Sequence, residues 1–268
     1  MKKLIIIDGH NFLWRAYSAP FKFFSKNGTP LHTATMYLKL VRRVFSSIKK
    51  FAKSDLVVVV FDTDTTNDNF KLSDEYKANR KKVSEKDNPY QHIPYIQKTL
   101  NFLNIKYLEI ANVEADDIIA SIAKSFCKRC PTNKVYIISS DTDFYQLLGR
   151  QISILKLKSG NEYEILKPKH IKNKLGITPK QYVYFKSLTG DSADNIRGIS
   201  GIGKITARKI VRQEIKFNIN RYKKTIDLNK KLITLNCNCK KQWNFRDFSH
   251  KPKLLKVSNN EIFKYCKF

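Results

Sequence analysis

Acidic residues recur where predicted strands end and where predicted helices begin. Asp8 follows the apolar run Leu4–Ile7, and Asp62 follows the run Leu56–Phe61. In an open parallel sheet the carboxyl ends of the strands meet at one edge, where ligands bind. Acids at several such ends are therefore expected to converge on one cleft. Five segments follow this pattern, and together they supply Asp8, Asp62, Glu114, Asp116, Asp117, Asp141, Asp143, Asp191 and Asp194.

Nine carboxylates in one cleft would repel one another, and they could stay ionised only with cations nearby. Oxygen-rich sites without histidine suit Mg²⁺ or Mn²⁺, and this number of acids fits two or more ions that share ligands. Such a pair of ions activates water and stabilises the leaving oxygen of a phosphodiester. The alternative is that each acid only caps a helix or a turn, which is the usual role of a single Asp after a strand. Because five separate segments repeat the pattern, we favour metal-dependent hydrolysis.

Strands and helices alternate along the first part of the chain. Short apolar runs rich in Val and Ile predict strands over Leu4–Ile7, Leu56–Phe61, Tyr107–Ile110 and Val135–Ser139. Apolar residues at helical spacing predict helices over Thr33–Lys53 and Glu114–Lys128. This alternation predicts an α/β fold with a mainly parallel sheet flanked by helices. Residues 64–89 lose the apolar period and are rich in polar residues, so we expect an insertion there.

The pattern changes near the middle of the chain and predicts a second, helical part. Pro168–Leu175 and Pro179–Leu188 both begin with proline, which is favoured in the first turn of a helix. The glycine-rich turn at 198–203 opens into a further helical pattern, and such a turn can present backbone N–H groups to phosphates. We therefore expect a catalytic part over residues 1–167 and a helical part with a basic tail over residues 168–268.

The charge of the chain indicates its class of partner. Its 51 Lys and Arg outnumber its 23 Asp and Glu, which gives a net charge of +28. This excess favours a polyanion, and nucleic acid rather than a membrane surface, because no basic amphipathic anchor helix is evident. The bland alternative is a lysine bias that reflects an A/T-rich coding genome. The chain has no apolar stretch long enough for a membrane span or an export signal, so we expect a cytoplasmic protein.

The five cysteines suggest a rival metal site. Cys127 and Cys130 have the spacing of half a zinc site, but Cys237 and Cys239 do not form the usual second half. We therefore favour reduced thiols over a zinc site.

Seven segments, in order, resemble the 5′-nuclease (flap endonuclease) domain of bacterial DNA polymerase I and its stand-alone and phage relatives. They include Glu-Ala-Asp-Asp-Ile (114–118) and Ser-Ser-Asp-Thr-Asp-Phe-Tyr-Gln-Leu (139–147), and the others are residues 6–17, 60–62, 76–80, 190–196 and 201–207. The resemblance implies a PIN-like core with a helical arch over about 64–92. It also implies that the helical part over residues 168–268 binds DNA, through a helix–three-turn–helix element over about 190–212. It also implies a 5′→3′ exonuclease and 5′-flap endonuclease that uses Mg²⁺ or Mn²⁺.

The resemblance also assigns individual residues. The nine acids match the family's metal ligands, Lys77 and Arg80 would neutralise phosphates, and Tyr76 would stack on a base. Arg15 and Tyr17 would face DNA near the metals. The glycine turn would hold the duplex, and K⁺ through its backbone carbonyls; its contact residues are Gly198, Gly201, Gly203, Lys204 and Thr206.

The expected substrate is DNA with a 5′ flap, a gap or a free 5′ end, including RNA-primed ends. We expect a monomer that acts beside a separate DNA polymerase and ligase in replication and repair. Two alternatives stay open at this point: a non-catalytic protein that binds DNA structures, and a PIN-type ribonuclease.

Overall fold

The computed structural model describes residues 2–20, 24, 31–48, 55–63, 76–77, 88–158, 162–240, 242–248 and 258–266. The strands are β1 (Lys3–Asp8), β2 (Leu56–Phe61), β3 (Lys106–Glu109), β4 (Lys134–Ile138), β5 (Ile152–Leu157), β6 (Tyr163–Leu166), β7 (Gly190–Asp191) and β8 (Ile196–Arg197). The α-helices are α1 (Gly9–Tyr17), α2 (His32–Ser47), α3 (Ile93–Phe102), α4 (Ala115–Arg129), α5 (Pro168–Leu175), α6 (Tyr182–Thr189), α7 (Lys204–Val211), α8 (Lys223–Ile233) and α9 (Asn259–Cys266). Short 3₁₀ helices cover Pro89–His92, Asp143–Leu147, Pro179–Gln181 and Ile219–Tyr222.

One six-stranded sheet organises the chain. Its strand order is β3-β2-β1-β4-β5-β6; the first five strands are parallel, and β6 runs antiparallel to β5. All six residues of β2 are buried, as expected for a strand covered by helices on both faces. Alternate residues of β1 enter opposite cores: Leu4 and Ile6 pack with α4, whereas Ile5 and Ile7 pack with α1, α2 and α3. The predicted α/β class with a mainly parallel sheet is confirmed.

The predicted elements differ from the observed ones at several points. The second helix ends at Ser47 rather than at 53, because Ile48 takes an extended backbone and its side chain enters the core. β5 and β6 were not predicted; β6 is a short edge strand with polar residues and has no long apolar run. Helices α1 and α3 were also missed, and α1 begins directly after β1, where the Asp8 side chain caps it.

The helical second part shares its core with the sheet. Ile171, Phe185 and Ile210 belong to the same hydrophobic cluster as Leu4 and Ile6 of β1. The predicted division after residue 167 stays a prediction, since this cluster runs continuously across it. Most of the predicted arch lies outside the described residues, of which only 76–77 and 88–92 fall within 64–92. Among the described residues, no helix is long and apolar enough to cross a membrane.

Candidate functional site

The first acid of the site is fixed by the junction of β1, α1 and β4. Asp8 is the last residue of β1, and its Oδ1 accepts a hydrogen bond from the Asn11 backbone N–H at 3.0 Å. The Ser139 hydroxyl donates to Asp8 Oδ2 at 2.7 Å and accepts from the Asp141 backbone N–H at 3.0 Å. Ser139 therefore sets the spacing between two site acids, a role that the sequence analysis missed.

The second acid joins β2 to the start of α4. Asp62 Oδ1 accepts a hydrogen bond from the Ala115 backbone N–H at 2.6 Å, and its Oδ2 lies 3.3 Å from His10 Nδ1. Burial acts to raise the pKa of Asp62, but the contacts with His10 and Ala115 and the charge of Lys77 outweigh it and lower that pKa. Asp62 is thus held ionised beside the first residue of the acidic helix.

Four acids form what we call the inner group: Asp8, Asp62, Asp116 and Asp141. Burial raises the pKa of Asp116 well above its usual value, and the charges of Asp141, Asp8 and Asp62 raise it further. Burial also raises the pKa of Asp8 to about 6, although hydrogen bonds from Asn11 and Ser139 oppose the shift. The structure therefore brings these four predicted acids together at the carboxyl edge of the sheet.

Three further acids form the outer group: Asp143, Asp191 and Asp194. One ligand oxygen from each lies within 4.8 Å of the others, which is a spacing that a single cation can bridge. Burial, together with the charge of Asp141, raises the pKa of Asp143 to about 7. Asp143 Oδ1 is buried and, within the described part of the chain, accepts no hydrogen bond, so this oxygen suits a metal ligand.

A lysine that the sequence analysis overlooked lies in the outer group. Lys186 Nζ forms an ion pair with Asp191 and lies 3.9 Å from Asp143 Oδ1. The one feature of the sequence that could have indicated this contact is the position of Lys186 on the last turn of α6, five residues before Asp191. Lys186 partly neutralises these carboxylates and lowers the pKa of both Asp143 and Asp141 against the stronger effect of burial.

Asp141 connects the two groups of acids. Burial raises its pKa, and the charges of Asp194 and Asp191 raise it further. Asp141 in turn raises the pKa of Asp116 in the inner group and that of Asp143 in the outer group. The acids of both groups therefore repel one another through Asp141, and divalent cations would relieve a repulsion that otherwise favours protonation. Among the described residues, three ligand oxygens lie within 4.8 Å of one another in the outer group only, whereas charge alone relates the inner acids.

Glu114 and Asp117 flank the inner group and share one face of the α4 start, as their spacing predicts. Glu114 pairs with Lys77 Nζ, and the Tyr76 hydroxyl lies 3.4 Å from its Oε2. Asp117 Oδ1 accepts a hydrogen bond from the Asn236 backbone N–H at 2.7 Å. Burial raises the pKa of Asp117 to about 6, against the effect of this hydrogen bond. Both acids thus contact protein groups beside the inner group, and their role as metal ligands stays a prediction.

The base of the predicted arch is tied to the site. Lys77 has a left-handed backbone with φ of 56°, a strained conformation that only favourable contacts maintain. Its backbone N–H donates to the Asp194 carbonyl at 2.9 Å. Tyr76 is 3% exposed and packs against Ile196 and Ile233, which corrects the expectation that its ring stacks on a base. Arg80 lies outside the described residues.

Arg15 and Tyr17 are half-exposed and contact other parts of the protein. The Arg15 guanidinium donates to the Leu157 carbonyl and to the Lys158 carbonyl, both at 2.6 Å, and thereby fixes the end of β5. The Tyr17 ring lies 6.2 Å from the His32 ring and 5.6 Å from the His92 ring. Their polar and aromatic groups thus already contact protein, and the expectation that these two side chains face DNA near the metals stays a prediction.

The predicted DNA-binding glycines divide into two kinds. A Cβ at Gly198 would lie 2.4 Å from the Thr189 carbonyl carbon, so this glycine allows the close packing of the β7–β8 hairpin. Gly201 has a φ of 79°, and a Cβ there or at Gly203 would meet open space. These two positions leave the backbone accessible at the start of α7. Lys204 is exposed beside them, and Thr206 is half-buried on the same helix.

The cysteines do not gather into a metal site within the described chain. Among the residues that the structure describes, no three possible ligand side chains that include a cysteine lie close enough to share an ion. Cys127 and Cys237 pack against the core instead, and burial raises the pKa of both thiols.

Comparison with known proteins relates this site to a family of nucleases. Residues 3–176 match the family described as "5'-3' exonuclease, N-terminal resolvase-like domain". A 5'-3' exonuclease of Buchnera aphidicola subsp. Schizaphis graminum is 34% identical over 206 residues, which cover 77% of this chain and 68% of that protein. The thermostable DNA polymerase I of Thermus thermophilus is 31% identical over 211 residues, or 79% of this chain. The matched part is only 24% of the polymerase, so the chain spans about a quarter of that relative.

Solved structures share the fold at lower sequence identity. The T5 D15 protein co-crystallised with metal ions has a TM-score of 0.69 at 20% identity, covering 99% of this chain and 97% of that one. Flap endonuclease-1 from Methanococcus jannaschii has a TM-score of 0.58 at 15% identity, covering 99% and 90%. These likenesses confirm the predicted fold class, whereas the helix–three-turn–helix detail stays a prediction. With the sequence matches, they confirm the predicted resemblance: the chain belongs to the 5′-3′ exonuclease family, through its N-terminal resolvase-like domain.

Proposed function

We propose that this protein is a 5′→3′ exonuclease and structure-specific 5′-flap endonuclease that hydrolyses DNA phosphodiesters with two divalent cations. The observation that carries this proposal is the pair of acid groups joined through Asp141. An acid cluster built only for helix capping would not need seven carboxylates with several raised pKa values in one cleft. The named nuclease relatives support the same assignment.

The inner and outer groups would hold the two cations. When bound, divalent cations supply charge for the phosphate and lower the pKa of the attacking water. The chain's own carboxylates fix where that charge lies: hydrogen bonds from Ser139 and Ala115 orient Asp8 and Asp62 before substrate arrives. Mg²⁺ is the proposed ion, with Mn²⁺ as a substitute, since both prefer carboxylate oxygens.

Lys77 is the proposed catalytic cation. Its Nζ forms an ion pair with Glu114 at the edge of the inner group. Its backbone has a left-handed conformation and donates a hydrogen bond to the Asp194 carbonyl. A phosphate entering the cleft would compete with Glu114 for this ammonium group, so Lys77 can neutralise charge that develops on the phosphate oxygens. Arg80 is proposed to assist from the adjacent part of the arch.

The turn that precedes α7 is proposed to hold the duplex. The open faces of Gly201 and Gly203 let a phosphate approach the backbone, and the α7 N-terminus favours an anion. Lys204 adds an exposed positive charge, and Thr206 a hydroxyl. Binding of K⁺ by carbonyls of this turn, and a helix–three-turn–helix element over 190–212, belong to the same proposal.

The biological setting is proposed from the substrate class. Removal of 5′ flaps and RNA primers would leave a nick for a ligase after synthesis by a separate DNA polymerase. We propose a monomer that acts in the cytoplasm on DNA with flaps, gaps or free 5′ ends.

A flap-cleavage assay tests the proposal. A duplex with a labelled 5′ flap is incubated with the protein in Mg²⁺ or in EDTA, beside Asp116→Ala and a structured RNA substrate. We expect Mg²⁺-dependent cleavage of the flap by the wild type and none by Asp116→Ala. Flap binding without cleavage would instead identify a non-catalytic binding protein, and cleavage of RNA but not of DNA flaps would identify a ribonuclease.

A further inference from the structure

Residues 233–239, which we call the strap, leave the end of α8 and lie against the acidic site. Gln146, in the 3₁₀ helix that begins with Asp143, binds this strap through both ends of its amide. Its Nε2 donates to the Ile233 carbonyl at 3.0 Å, and its Oε1 accepts from the Leu235 backbone N–H at 3.1 Å. The same Nε2 donates to the Asp143 carbonyl at 2.9 Å. One side chain thus connects the strap to the residue that carries an outer-group carboxylate.

The strap reaches the helix of the inner group three residues later. The Asn236 backbone N–H donates to Asp117 Oδ1 at 2.7 Å. The Ser121 hydroxyl, one turn further along α4, donates to the Asn236 carbonyl at 2.9 Å and accepts from the Cys239 N–H at 3.0 Å. The strap is therefore fastened at two points, one near each group of acids.

These contacts connect the strap to two residues that carry acids of the site, Asp117 and Asp143. We propose that Gln146 is a positioning residue for the acidic site: it holds the strap so that Asp117 and Asp143 keep the orientation in which the site receives divalent cations. The inference deepens the proposed metal-dependent function and rests on it. It also assigns part of the region after α8, whose role the sequence does not indicate.

Without Gln146, the Ile233 carbonyl and the Leu235 N–H would lose their partner, and the strap could move away from α4. Asp117 Oδ1 would then lose the hydrogen bond that fixes its orientation, and the Asp143 backbone carbonyl would lose its contact with Gln146. Groups that orient metal ligands from outside typically change metal affinity by about 10- to 100-fold when removed. Gln146 acts through the strap rather than directly on a ligand oxygen, so we expect its removal to change metal affinity by an amount near the lower end of this range.

The test compares two glutamines that make similar contacts. Gln146→Met keeps the length of the side chain and removes its hydrogen bonds. Gln151→Met is the matched control, because the Gln151 Nε2 lies within hydrogen-bonding distance of the carbonyls of Cys127, Cys130 and Asn133 at the opposite end of α4. The measurement is the Mg²⁺ concentration that gives half of the maximal increase in Tm, without DNA, supported by Mn²⁺ binding followed by electron paramagnetic resonance.

We expect Gln146→Met to raise this Mg²⁺ midpoint at least about fivefold, and Gln151→Met to lower Tm while leaving the midpoint within about twofold. An unchanged midpoint in Gln146→Met would overturn the proposal, because a merely structural glutamine would lower Tm alone. Should Gln146→Met not fold, Ser121→Ala decides the matter, with Ser121→Thr retaining the hydroxyl. A raised midpoint in Ser121→Ala that Ser121→Thr restores supports the proposal, and equal midpoints in both overturn it. A wild type that shows no Mg²⁺ response would instead reject the underlying metal-dependent function.

Discussion

The inner and outer groups of acids are built in different ways. The inner group lies where the central strands of the sheet end and where α4 begins. Backbone N–H groups and the Ser139 hydroxyl fix the carboxylates of Asp8 and Asp62 there. The outer group lies between the sheet and the helical second part, and it contains its own cation, Lys186. The inner group is therefore preorganised by the sheet, whereas the outer group depends on how α6 and the β7–β8 hairpin pack against it. The charge of Asp141 raises the pKa of an acid in each group, Asp116 in the inner group and Asp143 in the outer group.

The largest effect is expected where the two groups meet. Asp141→Asn keeps the size of the side chain but removes charge from both cation sites. Single-turnover flap cleavage in saturating Mg²⁺ should fall by at least about 10³-fold, comparable with the loss of a principal charge-stabilising group. Binding of the flap DNA without metal should change little. A rate within tenfold of the wild type would show that the two groups do not share this acid.

A smaller loss is expected from a change confined to the outer group. Asp191→Asn removes one carboxylate and the closer of the two ion pairs of Lys186, and it leaves the pair with Asp143. We expect cleavage to fall by about 10- to 100-fold, with much of the loss recovered at higher Mg²⁺ or in Mn²⁺. Titrating the rate against metal concentration distinguishes the two groups. If Asp191→Asn lost as much cleavage activity as Asp141→Asn and did not recover at higher metal concentration, the two groups would not differ in the way described.

The raised pKa values predict how pH changes the stability of the metal-free protein. Asp8 and Asp143 have pKa values of about 6 and about 7 when folded, against 3.8 for an ordinary Asp. At a pH between the unfolded and the folded pKa of such an acid, the folded state binds more protons than the unfolded state. The free energy of unfolding therefore falls as pH rises through this range. In EDTA, these two groups together should lower the free energy of unfolding by about 4 kcal/mol between about pH 5 and pH 8, because each pH unit below a folded pKa contributes about 1.4 kcal/mol.

Denaturant unfolding at several pH values, in EDTA and in Mg²⁺, measures this dependence. The control is Asp143→Asn, which should flatten the curve in EDTA while leaving other titrating groups in place. Mg²⁺ should also flatten it, because cations stabilise the ionised acids at high pH. Identical pH dependence in the wild type and in Asp143→Asn would contradict the raised pKa of the outer group.

The smallest effect on DNA is expected at a residue outside both groups. The Arg15 guanidinium donates hydrogen bonds to the carbonyls of Leu157 and Lys158. Arg15→Ala should therefore lower the free energy of unfolding by about 1 to 2 kcal/mol. Its affinity for flap DNA, measured by fluorescence anisotropy in Ca²⁺, should stay within about twofold. A tenfold loss of affinity for flap DNA at an unchanged free energy of unfolding would instead support the DNA-facing role that the family resemblance implies.

The sequence predicts the sheet and its acids well for a physical reason. A strand buried on both faces is apolar throughout, so β1, β2 and β4 stand out, and an acid that follows such a strand must lie at the carboxyl edge. The same logic fails for β6, which is a short edge strand with polar residues. Local patterns therefore predict most of the sheet and the positions of the inner acids.

The supporting residues could not be predicted, because their partners are far away in the chain. Gln146 contacts a carbonyl 87 residues away, and Asp117 accepts a hydrogen bond from a residue 119 positions away. Tyr76 looked like an exposed aromatic in a polar segment, but α8 residues close to its ring bury it. Such contacts depend on how the second part packs against the sheet, and no spacing in the sequence reports this.

The most direct test of the two-group account is anomalous diffraction from crystals soaked in Mn²⁺. We predict two manganese peaks: one contacted by inner-group acids, and one contacted by Asp143, Asp191 or Asp194, with Asp141 beside both. Asp141→Asn crystals treated in the same way should lose occupancy at both positions. A single manganese ion in the wild type, or two ions of which neither lies near the outer group, would contradict the account.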